Sequence, residues 1–181
     1  MHRITRLVAL GALVGIALWL HGLSMPVLAK HRIARGADVK MEDKTVREIN
    51  ESFHRIEHAL EEGDIDALMD EYSEDYGWGS LAKEDMRAIW NQVFRRYRRL
   101  SSQHSFSRTE MAPSLGKARV AKLTCSGSLW ATHKETGKRV TLDSWLGEVH
   151  YLIYEKGKWK FRGRSRTPST LRFGDALHPL F

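Results

Sequence analysis

The sequence predicts an α+β fold in which N-terminal helices pack on one face of a curved antiparallel sheet. Three observations carry that reading. Apolar residues between positions 45 and 97 recur at spacings of three and four, as amphipathic helices require. From residue 101 the spacing changes to two, as strands require. The chain has 181 residues, no internal repeat and one cysteine. That allows one domain and excludes a disulfide framework or a Cys-rich metal centre.

Residues 1–29 read as a targeting segment rather than part of the fold. Arg3 and Arg6 form a basic start, Leu7 to Leu20 is an unbroken apolar run, and His21, Ser24 and Pro26 interrupt it before Ala29. This is the layout of a signal peptide cleaved after Ala29. The rival is an uncleaved membrane anchor, with Leu7 to Leu28 spanning and the N-terminal segment supplying membrane contact. Either way the folded part is expected outside the cytoplasm: periplasmic or secreted, or anchored in the inner membrane and facing the periplasm. A single Cys125 suits an oxidising compartment, since it has no partner to mispair with.

Residues 30–44 lack an apolar period and read as a linker. Helix one is expected from Thr45, where Thr45 and Glu48 have capping-box spacing, with Val46, Ile49, Phe53, Ile56 and Leu60 on one stripe. Gly63 should end it and Asp64 should cap a short second helix carrying Ile65, Leu68, Met69 and Tyr72. A loop through Tyr76, Gly77, Trp78 and Gly79 leads to a third helix from Ser80. Its stripe is Met86, Ile89, Trp90, Val93, Phe94 and Tyr97. Strands are expected over Gln103–Met111, around Ala121–Leu129, over Arg139–Tyr154 and over Lys158–Arg166. Glu155-Lys156-Gly157 forms the last hairpin turn. Residues 167–181 form a C-terminal tail.

The stretch from Ala59 to Tyr76, ALEEGDIDALMDEYSEDY, and the closing hairpin from Tyr151 to Phe161, YLIYEKGKWKF, carry a family resemblance. The sequence over residues 45–166 resembles the nuclear transport factor 2-like superfamily, which includes SnoaL-like and ketosteroid-isomerase-like members. That resemblance implies a cone-shaped α+β barrel with a pocket at its open end, and commonly a homodimer through the outer sheet face. It implies little about function, because the superfamily holds isomerases, dehydratases and adaptors. Similar domains follow a single span in inner-membrane components of type IV secretion systems, where they serve as docking modules.

Ketosteroid-isomerase chemistry needs a carboxylate base and paired acidic donors. The resemblance puts the tyrosine position on Ile56, the base near Ser80 and the neutral acid on Val149 beside Glu148, so all three groups are missing. His54-Arg-Ile-Glu57-His58 matches a zinc-protease pattern. Its histidines fall away from the apolar stripe, so exposure is expected and no metal site is assigned. Glu148 and His150 could form an acid–base couple or belong to a surface. No nucleotide fingerprint or phosphate-cradling loop is present, so no cofactor is expected.

The candidate pocket comprises Trp78, Trp90, Asp143, Trp145 and Tyr151, with Cys125 deeper. Aromatic walls with one carboxylate would suit a small apolar ligand with a polar handle. They would equally serve as core. If Arg139–Tyr154 alternates without a bulge at Gly147, Asp143, Trp145, Val149 and Tyr151 face inward. Leu146, His150, Leu152 and Tyr154 then face outward as candidate dimer-interface residues.

Charge is uneven: residues 42–75 hold thirteen acids and three bases, against a net +7 for the chain. Arg95, Arg96, Arg98 and Arg99 close helix three. Lys158, Lys160, Arg162, Arg164 and Arg166 line one strand face, a row able to meet anionic lipid or an acidic partner. Export argues against nucleic acid. The leading expectation is a non-catalytic binding or assembly domain with a periplasmic protein partner. The alternatives are a small apolar ligand-binding protein, or a lyase or isomerase using the cone.

Overall fold

The computed structural model of the chain describes residues 31–163. The targeting segment, the tail and the arginines at 164 and 166 lie outside the described residues. Helix α1 spans Asp43–Glu62 and buries Ile49, Phe53, Ile56 and Leu60 of the predicted stripe, with Val46 only half-buried. It begins at Asp43, with Thr45 buried rather than capping. Gly63 ends it in the left-handed conformation, φ 69°, its N–H donating to the Ala59 carbonyl. Asp64 Oδ1 accepts from the N–H groups of Asp66 and Ala67, both at 3.0 Å, and so opens α2 over Ile65–Asp70.

The chain departs from expectation next. Tyr72 does not continue α2, and Tyr76 to Trp78 do not form a loop: Tyr72–Trp78 is strand β2. A two-residue β3, Leu81–Ala82, precedes α3 over Lys83–Arg96. That helix starts after Ala82 rather than at Ser80, because Asp85 Oδ2 accepts from the Ala82 N–H at 2.8 Å. Three long strands and a short one follow: β4 Tyr97–Leu115, β5 Ala118–His133, β6 Arg139–Glu155 and the shorter β7 Lys158–Gly163. The β6–β7 turn places both Lys156 and Gly157 at positive φ, 49° and 84°, as a two-residue primed turn demands.

The largest correction lies before α1. His31–Lys40, expected as a linker, is strand β1 and pairs parallel with β4. Its lack of apolar period reflects its place at the sheet edge, where backbone pairing holds it rather than a buried face. The seven strands run in the order β1-β4-β5-β6-β7-β2-β3. The sheet is therefore not wholly antiparallel, since β2 also runs parallel to β7. Parallel neighbours need long crossovers, and the helical segment provides the one from β1 to β4. Register shifts interrupt β1, β4, β5 and β6, each bending the sheet. Helix α1 packs against β1, β4 and β7. Among the described residues no helix is long and apolar enough to cross a membrane.

One shift decides which β6 side chains face α1. Gly127 pairs with Trp145 and Cys125 with Glu148, so Leu146 and Gly147 together oppose Ser126. Gly147 takes φ 68° and donates its N–H to Ser126 Oγ at 2.9 Å. Beyond this bulge the alternation inverts. Glu148, His150, Leu152 and Tyr154 turn to the helix side, and Val149, Tyr151 and Ile153 to the other. His150 and Leu152 are buried and Tyr154 packs against the core, so the outward assignment of these three is corrected. Leu146 alone of the four projects outward, 88% exposed.

Candidate functional site

The interior of the cone is built by the faces of α1, β4, β5 and β6. On β4 the inward residues are Leu100, Ser102, His104 and Phe106, all buried. Phe53 of α1 stands over this row, its ring 4.8 Å from His104 and 5.0 Å from Phe106. His31 of β1 joins them at 5.3 Å from His104 and 5.4 Å from His54. Sequence reasoning missed His31 and His104. His104 was accessible through the alternation from Leu100 to Phe106, whereas His31 lay in the supposed linker.

Cys125 sits at the centre of this group. The Trp145 indole N–H donates to its sulfur at 3.1 Å, and His104 Nδ1 lies 3.8 Å from the same atom. Burial pushes the Cys125 thiol up to about 12, Trp145 opposing in part and Glu148 adding to the rise. Near neutral pH the group is therefore a thiol, and a Cys–His pair of this kind lacks the thiolate that nucleophilic catalysis uses. Glu57 also turns inward, accepting from Ser102 N–H at 2.9 Å and Ser102 Oγ at 2.6 Å. It thus leaves the exposed His54 and His58, so the zinc-protease pattern does not assemble on one helix face. Among the described residues no group of three or more His, Cys, Asp or Glu is arranged to hold a metal.

The five candidate pocket residues do not converge. Trp90 is buried on α3 and donates its indole N–H to the Tyr72 hydroxyl at 3.0 Å. Burial raises the phenols of Tyr72 and Tyr76 above their ordinary range, so both remain neutral. Trp78, partly buried at the end of β2, packs against the same core. Asp143 and Trp145 do share a face, Asp143 opposite Leu129 and Trp145 opposite Gly127. Trp145 is buried, but Asp143 is only half-buried, its Oδ1 accepting the Ser144 N–H at 2.7 Å. Tyr151 lies past the bulge on the opposite face. Of the positions relevant to isomerase chemistry, Ile56 is buried, Ser80 is exposed, and the bulge turns Glu148 rather than Val149 inward.

A cleft of about 450 Å³ is lined by Glu61, Arg99, Leu100, Ser101, Thr132 and Arg139. None of the five candidates lines it. A smaller hollow of about 10 Å³ lies between β1, α1, β4 and β5, and takes in the side of Thr109. Of the expected basic row, the two lysines of β7 are neutralised by acidic partners. Lys158 bonds Asp70 and Glu71 at 2.6 and 2.7 Å, and the buried Lys160 bonds Asp70 at 3.0 Å.

No family model matches the sequence, and no curated protein matches it. Solved structures do. Aln2 from a Streptomyces species aligns at 12% identity and a TM-score of 0.52, covering 68% of this chain and 90% of Aln2. A conserved protein from Planctomyces limnophilus aligns at 17% identity and a TM-score of 0.52, covering 67% of this chain and 94% of that one. The helical cell shape determining protein Pgp2 from Campylobacter jejuni aligns at 13% identity and a TM-score of 0.50, covering 68% of this chain and 41% of Pgp2. At these identities the likeness shows a shared fold alone.

Proposed function

We propose that this chain is an exported, non-catalytic docking domain that uses the outside of the cone rather than its interior. One observation carries the reading: the interior is filled. Phe53, Tyr72, Tyr76, Trp90, Phe106, Trp159 and Phe161 are each at most 2% exposed and belong to one packed core. A pocket for a drug-sized molecule takes roughly 300 Å³ or more; the hollow beside α1 offers about 10 Å³, and the cleft of about 450 Å³ is lined by none of these aromatic residues. The aromatic rings bond and stack on one another, as core residues do, with Trp90 on Tyr72 and Phe53 on Phe161 at 5.4 Å. Export rests on the basic and apolar character of residues 1–29. Self-association through the outer sheet face rests on Leu146, which the Gly147 bulge holds out in solvent.

Native mass spectrometry of the purified full chain tests this reading. The expected spectrum shows protein mass alone, as monomer and dimer. A small molecule bound stoichiometrically and retained through buffer exchange overturns it in favour of a ligand carrier or an enzyme.

A further inference from the structure

Two segments remote in sequence meet beside the 450 Å³ cleft and bring a dense group of cations with them. Arg95, Arg96, Arg98 and Arg99 come from the junction of α3 and β4. Lys134, Lys138 and Arg139 come from the β5–β6 hairpin. All seven are exposed. The register fixes their proximity: Arg98 pairs with Thr132, and Thr132 pairs with Arg139 on its other side. At about 4.8 Å between strands, the two arginine Cα atoms stand about 10 Å apart across one threonine. The Lys134 N–H donates to the Arg96 carbonyl at 2.9 Å, and Lys134 Nζ to the Phe94 carbonyl at 2.7 Å, tying hairpin to helix end.

Several cations elsewhere on the molecule are matched. Lys83 pairs with Glu74, Arg87 with Asp66, Arg108 with Asp38 and Lys122 with Glu110. Arg99 and Arg139 line the cleft itself; among the described residues none of the seven cations makes an ion pair, and like charges this close repel. The negative end of the α3 dipole offsets that only within its last turn.

From this we infer that the cleft binds an acidic peptide segment of a protein partner. The inference rests on the docking reading above and names the partner's chemistry. Five of the seven cations are arginines, whose planar forks grip carboxylates in two-point contacts and are favoured at protein interfaces. Thr132 and Ser101 add hydroxyl donors. Glu61 lines the same cleft, so its wall is of mixed charge and suits a peptide of acidic and neutral residues better than a uniformly charged polyanion. A lipid surface is disfavoured because the hairpin from Lys134 to Arg139 carries no apolar side chain to insert.

Fluorescence anisotropy with the full chain and a labelled alternating Glu–Ser peptide tests the site. Arg98→Ser/Arg139→Ser should weaken binding about tenfold or more. Arg32→Ser/Arg35→Ser, an equal charge loss at exposed positions of β1, should leave affinity within about twofold. If the first pair compromises folding by circular dichroism, Arg95→Ser/Lys138→Ser serves instead, with the same expected loss. No binding by the wild-type chain overturns the inference, as does equal weakening by both double variants. Tighter binding of inorganic phosphate, single-stranded DNA or phosphatidylglycerol vesicles than of the peptide overturns it too. Failure here leaves the mass spectrum unchanged, whereas a retained small ligand would overturn the docking reading whatever the peptide does.

Discussion

The indole of Trp145 lies across Gly127 of the neighbouring strand. A Cβ on residue 127 would stand 2.5 Å from Trp145 Cζ2 and 2.0 Å from the Gln103 carbonyl oxygen. The glycine therefore provides the seat from which Trp145 reaches Cys125. Gly127→Ala is expected to cost about 1–3 kcal/mol or more, since backbone as well as side chain must shift. Urea denaturation reads the cost directly, and an unchanged midpoint would show that the seat is not this tight.

At Gly147 the constraint is conformational rather than steric, because a Cβ there meets nothing within 4 Å. Gly147→Ala should cost about 1–2 kcal/mol through the left-handed backbone alone. Ser126→Ala, which removes the acceptor of the Gly147 N–H, should cost about 1 kcal/mol. Hydrogen exchange over residues 148–153 is the sharper measurement. Faster exchange confined to that stretch is the expected result, and protection unaltered in both variants contradicts a bulge held by these contacts.

Asp70 should shape the acid limb of stability. Hydrogen bonding from Lys158, aided by Lys160, holds its carboxyl down to about 2 from an ordinary 3.8, against a desolvation that raises it. The folded value lies below the unfolded one, so the contribution is present above about pH 4 and is lost as pH falls toward 2. Because the side chain is 63% exposed, the contribution is about 1 kcal/mol or less. Asp70→Asn should destabilise the chain at neutral pH and match wild type near the lower limit. A constant difference across that range would remove Asp70 from the acid transition.

The Cys125 thiol should resist alkylation in the native chain. It is fully buried and its pKa stands near 12, so little thiolate exists at neutral pH. Iodoacetamide should label it at a rate set by unfolding, rising steeply with denaturant. Rapid labelling without denaturant would mean that the sulfur is accessible and the interior open.

Leu146→Asp should leave the melting temperature within a few degrees of wild type, since the side chain is 88% exposed and supports nothing in the core. If the outer face associates, the substitution should abolish the dimer signal in native mass spectrometry. A dimer that survives it places the contact elsewhere.

The sequence by itself determined what is local. The α1 stripe, the Gly63–Asp64 junction and the Lys156–Gly157 turn follow from side-chain spacing and backbone preference within a few residues. The α+β class follows from the change in apolar period. Pairing over long separations was decided by the tertiary structure. Strand β1 joins β4, and β2 joins β7, through backbone hydrogen bonds that leave no side-chain signature. The inward set of β6 depended on whether Gly147 would bulge, a conformation accompanied by the hydrogen bond from its N–H to Ser126 Oγ, and one extra residue there exchanged Tyr151 for His150 at the core. The candidate pocket was read as a set because its residues are aromatic and suitably spaced. Packing separated Trp90, Trp145 and Tyr151 between α3, the helix side of β6 and its other face. The cations of the cleft were visible singly, but only the pairing of Arg98, Thr132 and Arg139 across three strands made them one surface.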